Sequence, residues 1–302
     1  MPSTILDRGP ILPLKLLFSH PYIAPNFFSF FEKHSDEMSL LIDSGAFTYY
    51  NAGKELSVEQ YIDFIKGLPI KPWGYFQLDV IRDPEKTKIN LYKMLDAGLN
   101  PIPIITRGAD PEYIDELYGI SDIIGIGALR MPRDLAYINS LMPSIKGRKY
   151  HLLGVGSPKT LAKFRPYSSD HTNYLDEQKY GKLSLYMGRG RFIHLRKSFF
   201  KKRPPYHIVK RIKELGFEPE RLATHMGWIY NPDEDYRVKY GSIGRTDKLS
   251  YAGKLHLYSH YLFNEDMQEH GTSIFLVSQA SFCDEWSRLL EFINGTPVDE
   301  CK

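Results

Sequence analysis

Residues 40–47 read Leu-Leu-Ile-Asp-Ser-Gly-Ala-Phe. Leu40, Leu41 and Ile42 form a short run that favours burial, and Asp43 stops it with a carboxylate that is costly to bury alone. Ser44 and Gly45 then break the pattern, as residues of a turn do. A buried strand that ends on an acid and a glycine is a unit to look for elsewhere in the chain. Comparable apolar runs fall at Leu14–Ser19, 75–80, 101–106, 123–127 and 150–156, with a shorter, more polar one at 166–170. Helical patterns lie between them. Residues 57–66 open with Ser57 and Gln60 at capping-box spacing, and Val58, Tyr61, Ile62 and Ile65 follow on one face. Residues 83–97 end at Gly98, and prolines start the patterns at 111–118, 132–141 and Pro158–Phe164. Strand and helix alternate in units of roughly 25 to 35 residues, which implies parallel strands with helical crossovers. No GxGxxG follows the first strand, so the doubly wound dinucleotide fold loses its fingerprint. The even unit length favours an α/β fold of the other kind, a (β/α)8 TIM barrel. The patterns at 249–263 and 275–292 read as helices. The expectation is one domain over residues 1–302, with a basic insertion at about 187–214 and a helical C-terminal part at about 249–302.

Composition narrows the class. Hydrophobic residues make up 42% and charged residues 25% of the 302, ordinary values for a soluble globular protein. No run approaches the ~18 to 20 apolar residues that span a bilayer, so no membrane partner is expected. Asp7, Arg8, Pro10 and Pro13 make the N-terminus a poor signal peptide, and a cytoplasmic location is expected. Cys283 and Cys301 form no CxxC pair, so neither a disulfide framework nor a zinc site is expected. The net charge is only +3, yet residues 187–214 carry ten Lys and Arg against the single acid Glu214. That local excess suits either a phosphate-binding surface or a solvated loop and helix face.

In a barrel, functional groups gather at the C-terminal ends of the strands. Asp43, Asp79 and Asp170 end the second, third and seventh strand patterns. One such aspartate would be a helix cap, but three suggest a shared site. Gly125 and Gly127 close the fifth strand, and Gly154 and Gly156 the sixth, where a missing Cβ lets a ligand approach the backbone or simply eases a turn. Facing carboxylates suit nucleophilic and acid/base work at a glycosidic carbon.

These segments carry a resemblance. Leu41-Ile42-Asp43-Ser44-Gly45-Ala46-Phe47 resembles the Asp-Ser-Gly-Gly-Phe/Tyr segment of tRNA-guanine transglycosylases. It is closer to the Asp-Ser-Gly-Ala-Phe of their DNA-modifying relatives in phages and bacteria. Leu78-Asp79, Ile124-Gly125-Ile126-Gly127, the run from His151 to Pro158 (His-Leu-Leu-Gly-Val-Gly-Ser-Pro) and that from Tyr167 to Thr172 are similar to further segments of the family, in the same order. The resemblance implies that Asp170 is a nucleophile attacking C1′ of a guanosine, and that Asp43 protonates the departing guanine. It implies that Asp79 binds the edge of the base, within a pocket shaped by Ser44, Gly45, Gly125, Gly127, Leu153 and Gly154. Phe47 would stack on the base or belong to the core. The family zinc ligands are missing, and where its fourth strand ends in a base-binding glutamine this chain reads Thr106-Arg107-Gly108-Ala109. Both departures point from tRNA to DNA. The expectation is therefore a DNA-guanine transglycosylase that needs no cofactor and inserts a 7-deazaguanine base such as preQ0. A flipped guanine in duplex DNA would be its polymer substrate. Arg189, Arg191, Arg196, Lys197, Lys201, Lys202 and Arg203 would meet the phosphates. A zinc-free tRNA enzyme, an inactive nucleic-acid-binding barrel and an unrelated barrel glycosidase are the alternatives.

Overall fold

The computed structural model describes residues 8–110, 112–127, 134–176, 182–195, 205–225 and 249–297. They fall into two compact units: Met1–His171 with Gln268–Ala280, and Thr172–Met267 with Ser281–Lys302.

The first unit is an α/β fold of TIM-like plan. Its strands are β1 (Leu14–Ser19), β2 (Met38–Asp43), β3 (Gly74–Tyr75), β4 (Ile104–Ile105), β5 (Ile123–Ile126), β6 (Lys149–Leu152), β7 (Ser168–His171) and, much later in the chain, β10 (Ser273–Ser278). All pair in parallel, in the order β3-β2-β1-β10-β7-β6-β5-β4. A parallel bridge between Phe76 and Ile102, with Gln77 N–H donating to Ile102 O at 3.0 Å, joins the two ends of that order. Helices α1 (Pro25–His34), α2 (Ala46–Asn51), α3 (Val58–Lys66), α4 (Pro84–Asp96), α5 (Tyr113–Ile120), α6 (Asp134–Ile145) and α7 (Pro158–Phe164) connect the strands. Their starts are written in sequence. Ser57 Oγ accepts from Gln60 N–H and the Gln60 side chain accepts from Ser57 N–H, both at 3.1 Å, which completes the capping box of α3. Asp83 caps α4 and Ser157 caps α7, each followed by a proline.

Side chains alternate along a strand, so each strand of the curled sheet sends every second residue inward. Leu17, Leu41, Phe76, Ile102, Ile104, Ile123 and Phe275 form one buried cluster, one or two residues from each of six strand positions. Two residues on from Leu17, Leu41 and Ser168, on the same inward side, stand Ser19, Asp43 and Asp170. The outward residues are buried as well: every residue of β1 is buried, as strands of a helix-covered parallel sheet are.

The helical C-terminal part needs one correction. Residues 273–278 are the eighth strand of the parallel sheet, not the start of a helix. Phe275 pairs with Asp170 on one side and Leu276 with Leu16 on the other. A six-residue apolar run buried on both faces has no periodicity that separates strand from helix. The helix begins later, as Cys283–Ile293.

The second unit holds an antiparallel hairpin, β8 (Leu183–Tyr186) with β9 (Phe192–Leu195), and helices α8 (Tyr206–Glu214), α9 (Pro219–His225), α10 (Tyr251–Glu269) as far as Met267, and α11 (Cys283–Ile293). Leu183, Leu185, Leu195, Ile208, Ile212 and Leu255 share its core. The described parts of the basic stretch, residues 187–195 and 205–214, form the hairpin tip, β9 and α8. Among the described residues, no helix is long and apolar enough to cross a membrane. No group of three or more His, Cys, Asp or Glu among them could hold a metal ion.

Candidate active site

The ends of β1, β2 and β7, with the segment after β3, bring Ser19, Asp43, Asp170 and Asp79 to one rim. Ser19 and Asp43 are paired across β1 and β2, and the Ser19 hydroxyl donates to Asp43 Oδ2 at 2.9 Å. Gly45 N–H donates to the same oxygen at 2.9 Å. Gly45 reaches that position with a φ of +74°, and a Cβ there would lie 2.4 Å from Pro21 Cδ, so the turn admits only glycine. Ser44 is buried, and its hydroxyl donates to Asp79 Oδ1 at 3.4 Å. Phe47 follows, half-buried, in the first turn of α2.

Asp170 is buried, at 7% exposure. Its Oδ1 accepts from Gly154 N–H at 2.9 Å and lies 2.9 Å from His151 Nε2. Gly154, like Gly45, has a φ of +74°, and open space surrounds the point where its Cβ would be. The two carboxylates are therefore held alike. One oxygen takes a backbone N–H from a left-handed glycine and a second contact from a side chain of the preceding strand. The other oxygen makes no hydrogen bond among the described residues.

Electrostatics ties the three acids together. Burial pushes Asp43 above the ordinary carboxylate range, and the charge of Asp170 adds to this; the Ser19 hydroxyl, Gly45 N–H and His151 work against it. Asp79 is pushed up to about 7, first by burial and then by the charge of Asp43, with its backbone N–H and Ser44 opposing. Asp43 thus feels the charge of Asp170, and Asp79 that of Asp43, and each effect adds to burial in favouring the protonated form of Asp43 and of Asp79.

This has a consequence for stability. A carboxyl raised from 3.8 to about 7 keeps its proton in the folded chain over a range in which the unfolded chain has lost it. The folded state is then favoured at the acid end of that range, and the advantage disappears as pH rises towards 7. The unfolding midpoint should fall between about pH 5 and about pH 7.5, and Asp79→Asn should remove most of the fall. Thermal melts at several pH values check this; a midpoint that rises across the range contradicts it.

The remaining expected pocket residues divide. Gly125 faces side chains: a Cβ there would lie 3.0 Å from Leu153 Cδ1 and 3.1 Å from both Ile104 Cγ1 and Phe76 Cε1. Its missing Cβ serves packing of the inward cluster. Gly127 lies one pleat nearer the rim, beside Ile104 and Thr106. Leu153 is half-buried against the inward cluster. In the second unit, Arg189 and Arg191 are exposed at the tip of the β8–β9 hairpin. There Met187 N–H donates to Arg191 O at 2.9 Å and Gly190 N–H to Asp266 Oδ2 at 2.9 Å. Arg196, Lys197, Lys201, Lys202 and Arg203 lie outside the described residues.

Two polar residues of the site were not singled out from sequence, Ser19 and His151. Strand alternation puts each on the inward side of its strand, but which acid it adjoins on the next is set by register. No family model, curated protein or solved structure matches this chain.

Proposed function

We propose that this chain is a DNA-guanine transglycosylase built on a (β/α)8 barrel, exchanging guanine for a 7-deazaguanine base such as preQ0. The observation that carries the reading is the convergence of Asp43, Asp79 and Asp170 at one rim, coupled by charge. The resemblance of the segments that hold them supports it further.

The chemistry follows from the two free oxygens. Asp170 Oδ2 attacks C1′, and the electron pair of the C1′–N9 bond leaves with guanine. Asp43, favoured in its protonated form by burial, gives its proton to the departing base. Oδ2 of Asp43 is occupied as an acceptor, so that proton sits on Oδ1. The incoming base then attacks C1′ through its own ring nitrogen and returns a proton to Asp43, and Asp170 leaves as a carboxylate. Two displacements on the same carbon retain configuration. Asp79 reads the base edge, and its carboxyl can donate or accept as its protonation requires. No step calls for a cofactor, and a cytoplasmic location fits such a substrate.

Duplex DNA, single-stranded DNA and tRNA, each incubated with labelled guanine or preQ0, test the reading. Incorporation into DNA is expected. Incorporation into tRNA alone would move the polymer to RNA, and incorporation into none would overturn the reading.

A further inference from the structure

We propose that His151 is a positioning residue for Asp170, holding Oδ1 so that Oδ2 is the reactive oxygen. The catalytic consequence rests on the transglycosylase reading; the geometry does not.

His151 lies on β6, paired with Ser168 on β7, and its side chain is completely buried. Ser168 and Asp170 point to the same side of β7, so one imidazole spans both. Its Nδ1 is 2.8 Å from Ser168 Oγ and its Nε2 is 2.9 Å from Asp170 Oδ1. A carboxylate only accepts, so Nε2 carries the proton. The ring packs against Phe76, with centroids 4.9 Å apart, and against Phe275 at 6.3 Å. Both nitrogens are engaged and aromatic rings confine it, so the imidazole has one orientation. Neighbouring inward positions are Leu17, Leu41, Phe76 and Phe275. A polar ring among them is costly unless its bonds are made, and the bond it makes is to the acid.

The arrangement fixes the fate of each oxygen. When Oδ2 bonds to C1′, Oδ1 becomes the ester carbonyl and keeps its two donors, His151 Nε2–H and Gly154 N–H. When the incoming base attacks, the C1′–Oδ2 bond breaks and its electron pair returns to the carboxylate. The donors stabilise the charge that reappears, so they act most strongly on departure of Asp170. Removing His151 should therefore slow breakdown of the adduct more than its formation.

His151→Asn and His151→Gln separate the roles. The Asn amide overlays Nδ1 and reaches Ser168 only; the Gln amide is one carbon longer, overlays Nε2 and reaches Asp170. His151→Asn should lower base exchange about 10- to 100-fold while the fraction trapped as protein–DNA adduct rises. The KM for the free base should hold, and His151→Gln should recover most of the rate. Parallel loss of exchange and adduct in a folded His151→Asn protein overturns the proposal, as does His151→Gln behaving like His151→Asn. If the wild-type chain forms no adduct with DNA or tRNA, the transglycosylase reading fails instead. The positioning role is then decided by long-range ¹H–¹⁵N spectra of the imidazole: a proton on Nε2 supports it, and one on Nδ1 alone overturns it.

Discussion

Asp170→Asn should leave no covalent protein–DNA species on a denaturing gel and should lower base exchange by about 10⁴-fold or more. The substitution changes almost nothing else. An asparagine Oδ1 still accepts from Gly154 N–H and faces His151 Nε2, so β7 and its contacts persist. The amide nitrogen takes the place of Oδ2, and an amide nitrogen is no nucleophile. The loss should thus come with an unfolding midpoint close to that of the parent. Residual exchange within about tenfold of wild type would remove Asp170 from the nucleophile's place.

Asp43→Asn should cut exchange by about 10²- to 10⁴-fold, the usual worth of a positioned acid or base. Here the carbonyl oxygen of the amide can accept from Ser19 and Gly45, as Oδ2 does now. What disappears is the transferable proton. The distinguishing substrate is DNA carrying 7-methylguanine, a base that is already cationic and leaves without protonation. Adduct formation by Asp43→Asn should recover towards the wild-type rate on that substrate and stay slow on ordinary guanine. Equal defects on both would mean that Asp43 is not the acid.

Much of the α/β fold was legible because its local signals agree. β1 occupies the span its apolar run marks, Leu14–Ser19, and α7 the span marked by its proline, Pro158–Phe164. The capping box at Ser57 forms as written. The ladders of β3 and β4 are much shorter than their apolar runs, since Phe76 and Ile102 meet only through an isolated bridge. The acids were legible because an ionisable group closing an aliphatic run is conspicuous. Ser19 and His151 were not, because their importance lies in what stands opposite on a neighbouring strand, and register is a property of the fold. The division into two units left no trace in composition either: no glycine- or proline-rich linker marks the passage from His171 to Thr172.

The place of β10 constrains how the molecule comes into being. Leu276 sits between Leu16 and His171 in the sheet, so the last of the described parallel strands to be synthesised lies between the first and the seventh. Until the ribosome has passed residue 278, β1 and β7 each present an unsatisfied edge to the cell. Pairing across most of the chain's length makes folding slow, and the incomplete sheet is prone to aggregation. The rim carrying Asp170 also lacks its neighbouring strand until then, so a prematurely terminated chain should be an inert product.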